Sequence, residues 1–169
     1  RSDEIKPYNL YIKKENIFKF LDDNRIEKTG NFFAWRFLDE ERKEVKVEKI
    51  KIVFSPIYEV EWEYDKERNE YRYFQNGRVY KDKNNQEIRI KNLIIQLTFI
   101  LTIDLEGRKK IKLDGEGKAL IFKNGQVIEG KWKKDFNRTR FYDENENEIS
   151  LLPGKSWVLI VSEGMKINY

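Results

Sequence analysis

The segment Gly117–Trp132, GKALIFKNGQVIEGKW, constrains the fold more than any other part of the chain. Two apolar-polar alternations flank Asn124-Gly125, a dipeptide suited to both positive-φ positions of a type I′ turn. That turn matches the twist of the strands it joins, so the segment reads as a β-hairpin. Ala119, Ile121, Val127 and Trp132 are the candidates for its packed side.

A period of two recurs through most of the chain. Val45, Val47, Ile50, Ile52 and Phe54 outline one strand. Tyr58, Val60, Trp62 and Tyr64 then alternate with Glu59, Glu61 and Glu63. This predicts one apolar face and one acidic stripe, whose repulsion Lys or Arg on neighbouring strands would relieve. Tyr71, Tyr73 and Phe74 follow, and Asn76-Gly77 is a second hairpin signal. Asn92–Asp104 (NLIIQLTFILTID) is the most apolar strand, expected to be central, buried on much of both faces, and long enough to bend between sheets. Asn92 and Gln96 within it are expected to satisfy backbone groups internally. Trp157–Val161 closes the pattern as a buried strand.

Only Lys14–Asp23 shows helical spacing, through Ile17, Phe18, Phe20 and Leu21, with stop signals at Asn24 and Gly30. An extended lead-in precedes it, and the aromatic-rich Asn31–Leu38 reads as an extended segment packed on the helix or the sheet. The expected class is mostly β, a curled or two-layer antiparallel sheet with one N-terminal helix. The expected organisation is a helix-containing remnant of a preceding domain over 1–43, an antiparallel β domain over 44–163, and a tail over 164–169. The chain opens on Arg rather than Met and shows no signal peptide, so it reads as a mature or trimmed piece of a longer protein.

Composition narrows the chemistry. Aromatic residues make up 14% of the 169 residues, enough to build a core despite a mean hydropathy of -0.81. There is no cysteine and no histidine, which removes disulfides, Cys-His zinc sites, a cysteine nucleophile and a histidine base. Paired carboxylates or a lysine-activated hydroxyl remain, and no pair stands out among so many acids. No cofactor or metal is expected, and no catalytic residue can be named. No apolar run reaches the ~20 residues needed to span a bilayer as a helix.

Net charge is only +4, but residues 106–140 hold eleven Lys or Arg against five acids, a local excess of +6 that favours an anionic partner. The overall charge is small for a nucleic-acid binder, and none is expected. Within this region Trp132, flanked by Lys131, Lys133 and Lys134, is the best candidate patch: an exposed indole stacks on a sugar ring while cations hold phosphate or carboxylate. Strand alternation puts Trp132 and Lys133 on opposite faces, which equally suits Trp132 as a packing residue. Trp35 is a further binding candidate, set against a role covering the joint between helix and sheet. Asp82, near Asn84 and Asn85, offers oxygen ligands of the kind calcium takes, set against an Asx-type turn; the glycine and distal glutamate of an EF-hand loop are missing.

Four motifs in order, RNEYRYFQNGRVYKD (68–82), KNLIIQ (91–96), GEGKALIFKNGQVIEGKWKK (115–134) and TRFYDENENEISLLPGKSWVLIV (139–161), resemble the C-terminal part of the YerB-like bacterial putative lipoprotein family, a domain of unknown function. Asn92, Gln96, Gly117, Gly125, Gly130, Trp132, Lys133, Leu152, Pro153, Gly154 and Trp157 match its pattern. PYNLYIKKENIFKFLDDN (7–24) is similar to the end of that family's first domain. Tyr8 and Tyr80 stand where the family often has His, so any role resting on those histidines is in doubt here. The resemblance implies an extracytoplasmic, membrane-anchored lipoprotein of a bacterium, touching the membrane only through a lipid anchor outside this chain, and it supplies no activity.

The expected function is non-catalytic recognition at the cell envelope, with a wall polymer or an envelope protein as partner. One alternative is a scaffold domain packing on its own first domain. Another is a carboxylate-dependent hydrolase, which needs two carboxylates facing each other across a cleft.

Overall fold

The computed structural model describes residues 12–27, 29, 34–42, 44–134 and 138–169. The expected lead-in with Pro7 and Tyr8, and Asn31–Phe33 of the aromatic segment, lie outside them. The chain divides into two units, Arg1–Phe33 and Ala34–Tyr169.

In the first unit, α1 spans Lys14–Asp23, as its spacing predicts. Asn24 ends it: its backbone N–H and its side-chain Nδ2 both donate to Phe20 O, at 3.1 and 2.8 Å. None of its residues is buried within the unit, and Phe20 is 59% exposed.

The second unit holds two larger sheets. In the first sheet, β1 (Lys49–Ser55), β2 (Tyr58–Asp65), β3 (Glu70–Gln75) and β4 (Arg78–Val79) form an antiparallel meander, with β5 (Arg89–Ile90) also pairing with β3. The alternation works as expected: Val60 and Trp62 point inward, and the outward glutamates meet cations across the strands. Lys49 pairs with Glu61 and Lys51 with Glu59, both at 2.8 Å, and Arg72 with Glu63 at 3.1 Å. Hydrogen bonding to Glu61 raises the Lys49 pKa despite partial desolvation.

In the second sheet, β6 (Asn92–Thr98) is central. It pairs antiparallel with β9 (Gly115–Lys123), which continues to β10 (Gln126–Lys134) and β11 (Thr139–Tyr142). On its other side β6 pairs parallel with β12 (Ser156–Ser162). A separate hairpin, β7 (Ile100–Thr102) and β8 (Lys109–Ile111), follows a break at Phe99, so the long apolar strand does not run unbroken. The fold is mostly β with one helix among the described residues. The 164–169 stretch is not a free tail: β13 (Ile167–Asn168) pairs with β1, and the Tyr169 hydroxyl donates to Glu129 at 3.1 Å.

The second sheet is covered on both faces, as the apolar β6 requires. Leu93, Ile95, Phe122 and Val161 pack with Ile50, Ile52, Val60, Trp62 and Tyr73 of the first sheet. Ile94, Ala119, Ile121, Trp132, Phe141 and Leu151 form a second core on the opposite face. The segment before β1 belongs to this unit, about ten residues earlier than the expected boundary. Leu151 bridges in parallel to Phe37, accepting from Leu38 N–H and donating to Arg36 O, and Lys123 Nζ, almost fully buried, holds Glu40 at 2.5 Å. Asn92 likewise works internally: its side chain donates to Leu152 O and accepts from Leu152 N–H, at 2.9 and 2.8 Å.

Asn124 and Gly125 have φ of 53° and 65°, as a type I′ turn demands. The register corrects one expectation. A two-residue turn pairs Lys123 with Gln126 and Phe122 with Val127, so Val127 shares a face with Phe122 in the inter-sheet core. Ala119, Ile121 and Trp132 occupy the other side.

Candidate functional site

The lysines of interest sit at the end of β10, where it runs beside β11 on one side and the start of β9 on the other. Lys131 stands opposite Tyr142 and Lys118, and Lys133 opposite Arg140 and Glu116. A groove of about 380 Å³ is lined by Gly115, Glu116, Lys133, Lys134, Arg138, Arg140 and Tyr142. Four cations and one acid face it. A neighbouring depression of about 320 Å³, lined by Leu97, Ala119, Leu120, Lys118 and Lys131 among others, is more apolar.

The groove is held in shape by ion pairs at its rim. Glu146, held at a positive φ of 62°, reaches back to both Lys133 and Lys131, the latter at 3.2 Å. Lys134 meets Asp114 at 3.3 Å, and Arg140 meets Glu148 at 3.7 Å. The Lys133 hydrogen bond holds the Glu146 pKa below its ordinary value, and the same bond raises that of Lys133. The Lys133 ammonium lies 5.4 Å from the Tyr142 ring centre.

Trp132 does not face this groove. It is fully buried, its indole N–H donates to Leu97 O at 2.7 Å, and a Cβ on Gly117 would come within 2.6 Å of that nitrogen. No ring face is left for a ligand, so Trp132 positions the groove strand from behind. Trp35, by contrast, is half-buried, packs on the inward face with Phe141, and reaches the groove only through Arg138. It donates to Thr139 O at 2.8 Å, packs on Phe141, and carries the Arg138 guanidinium 4.8 Å from its ring centre. Lys133 and Lys134 thus line the groove, Lys131 lines the depression beside it, and Trp35 touches it through Arg138.

Asp82 is elsewhere, in the connection between β4 and β5. Its Oδ1 accepts from the backbone N–H groups of Asn84 and Gln86 at 2.8 and 3.0 Å, an Asx-type turn. Asp143 repeats the pattern with Asn145 and Asn147, both at 2.9 Å. Among the described residues no group of three or more acids is placed to hold a metal ion.

Sequence reasoning counted Arg138, Arg140 and Glu116 within the basic 106–140 stretch without singling them out as site residues, and missed Tyr142. The usable signal was register: once Trp132 and Phe141 are both inward, Arg140 and Tyr142 must share the outer side with Lys133 and Lys131. Among the described residues, the carboxylates with clearly displaced pKa, Asp65, Asp104, Asp143 and Glu146, are all displaced downward by hydrogen bonds to the charged form. A general acid needs the opposite.

The geometry defines a class: a two-sheet β domain whose outer strands present an ion-paired basic groove. The sequence matches the family described as "Protein of unknown function (DUF3048) C-terminal domain" over residues 50–158, and the chain belongs to that family. It is 31% identical over 105 residues to the "Putative lipoprotein YerB" of Bacillus subtilis (strain 168), covering 62% of this chain and 31% of that protein. The chain therefore spans less than a third of that relative's length. The fold is shared with the crystal structure of YerB from Bacillus subtilis, with a TM-score of 0.79 and 23% identity, covering 98% of this chain and 57% of the other.

Proposed function

We propose that this domain is a non-catalytic, extracytoplasmic binding module of a bacterial envelope lipoprotein, and that it recognises an anionic wall polymer. The observation that carries the reading is the groove: Lys133, Lys134, Arg138 and Arg140 line it beside Tyr142, with Glu116 as its one acid. Phosphate or carboxylate groups would meet the cations, and a sugar or polyol backbone would lie against the tyrosine. The name of the Bacillus relative supports an envelope location. A scaffold reading is favoured by one separate observation, the uncovered apolar side chains of the first unit, Ile12 at 69% and Phe20 at 59% exposure.

Trp35 makes the test direct, because Arg138 lies over its ring while Trp62 and Trp132 are fully buried. Titration with purified teichoic acid should change tryptophan emission saturably, and less so as salt rises. The change should vanish in a Lys133→Glu/Lys134→Glu variant whose circular dichroism is unaltered. No change with teichoic acid or peptidoglycan fragments, or an equal change in the variant, would remove the groove reading and leave the scaffold ahead.

A further inference from the structure

The hairpin β7–β8 is built like a strand pair of the core, but among the described residues no other strand pairs with it and none of its residues is buried. Its base is fixed by Thr98 Oγ1 donating to Lys112 O at 2.6 Å and by Lys112 N–H donating to Phe99 O at 3.0 Å. Its tip is a tight turn closed by Gly107 N–H to Asp104 O at 3.1 Å, with Gly107 at a φ of 80°. Pairing of Leu101 with Lys110, and the bond from Ile103 N–H to Arg108 O, fix the register. By alternation Phe99, Leu101 and Ile103 share one face, and Lys112, Lys110 and Arg108 stand beside them on the facing strand.

All three apolar side chains are about half exposed, and Leu105 at the tip is completely so. The acids of the hairpin are Asp104 and Glu106, and Arg108 engages both, at 2.5 and 3.5 Å. Among the described residues no carboxylate lies within ion-pair distance of Lys110 or Lys112. A row of apolar residues with a leucine at its summit, flanked by free lysines, is an exposed surface that needs an occupant.

We propose that this hairpin docks on an anionic lipid surface, with Leu105, Ile103 and Leu101 entering the headgroup boundary and Lys110 and Lys112 meeting the lipid phosphates. A bilayer interface rewards both halves of the row: apolar side chains reach the acyl boundary while lysine stems lie along them and place their ammonium groups at headgroup level. A polyol-phosphate polymer would satisfy the lysines and give the leucines nothing. A protein partner would need a pocket shaped to a convex ridge, whereas a fluid acyl layer closes around one. The inference does not depend on the polymer groove.

The whole chain is mixed with vesicles of phosphatidylcholine alone, or of equal parts phosphatidylcholine and phosphatidylglycerol, and assayed by flotation. Binding should require phosphatidylglycerol. Leu105→Asp should weaken it roughly tenfold or more, with unchanged melting because that side chain touches nothing. Each lysine contributes about fivefold, so Lys110→Glu/Lys112→Glu should abolish detectable flotation. The Lys133→Glu/Lys134→Glu variant should keep the dependence on Leu105. No flotation, or flotation indifferent to Leu105→Asp, overturns the proposal. Self-association lost in Leu105→Asp without vesicle binding also overturns it, in favour of a contact between copies of this chain.

Discussion

The hairpins β9–β10 and β7–β8 follow the same rule of alternation and meet different fates. In β9–β10 both sides are covered: Phe122 and Val127 lie under the first sheet, and on the other side Ile121 and Trp132 are buried in one cluster with Phe141, Ile149 and Leu151. Even its turn is enclosed, since Asn124 is 2% exposed and Asn69 Nδ2 donates to its Oδ1 at 2.6 Å. In β7–β8 no residue is buried, and Phe99, Leu101, Ile103, Leu105 and Ile111 remain exposed. Alternation thus specifies which residues share a face, while a second layer decides whether that face contributes to stability.

The largest effect should come from emptying the covered hairpin. Trp132→Ala removes a fully buried indole that spans the second core and leaves Leu97 O without its donor, and it should cost about 3–5 kcal/mol in urea denaturation. Leu101→Ala in the open hairpin is the matched control and should move stability by less than about 0.5 kcal/mol. Equal losses would mean that β7–β8 is packed in solution and that the contrast is false.

A subtler comparison uses the turn glycines. Gly125 and Gly107 both have positive φ, so alanine pays the left-handed penalty of about 1 kcal/mol at either site. At Gly107 a Cβ meets nothing within 4 Å, but at Gly125 it meets Tyr64 Cε1 at 2.8 Å and Val45 Cγ1 at 3.1 Å. Gly125→Ala should therefore cost about 1–2 kcal/mol more than Gly107→Ala, the overlap being added to the backbone strain. Parallel thermal or urea melts decide it. An equal cost would place the Asn124-Gly125 turn in the open.

Most of this architecture was legible in the sequence, because period-two patterning and Asn-Gly turns are local. The helix, the acidic stripe answered by Lys49, Lys51 and Arg72, and the family resemblance all followed from residues near one another or in a fixed order. What escaped was set by long-range pairing. The face of Val127 depended on the register of the turn, the groove residues Arg140 and Tyr142 depended on β11 lying beside β10, and β13 is a strand only because β1 has a free edge. Trp132 was the hardest case: the same alternation that set it apart from Lys133 fits an exposed anchor or a core residue, and only the cluster it forms with Phe141, Ile149 and Leu151 decides between them.

The smallest expected effect concerns what covers the enclosed turn. Asp65 opens the β2–β3 turn, whose Asn69 reaches Asn124. Its carboxylate accepts the Arg68 N–H at 3.1 Å and pairs with the Arg68 and Arg89 guanidinium groups at 3.1 and 2.9 Å. Led by the backbone bond, these hold its pKa at about 2 against an ordinary 3.8. A carboxylate depressed on folding stabilises the fold fully above its unfolded pKa and loses that contribution as pH falls through the folded value. Asp65→Asn keeps an acceptor for the Arg68 N–H and loses only the charge. It should therefore cost about 1 kcal/mol near neutral pH, a small figure because water screens the pairs. The gap to the unsubstituted protein should narrow as pH falls below 3.8 and close only below about pH 2, the point at which Asp65 is half protonated. Hydrogen exchange at Asn124 and Gly125 should rise in parallel with that loss. A gap that persists unchanged at pH 2 would show that the β2–β3 turn is held by its shape alone, and that the covered hairpin owes nothing to the Asp65 charge.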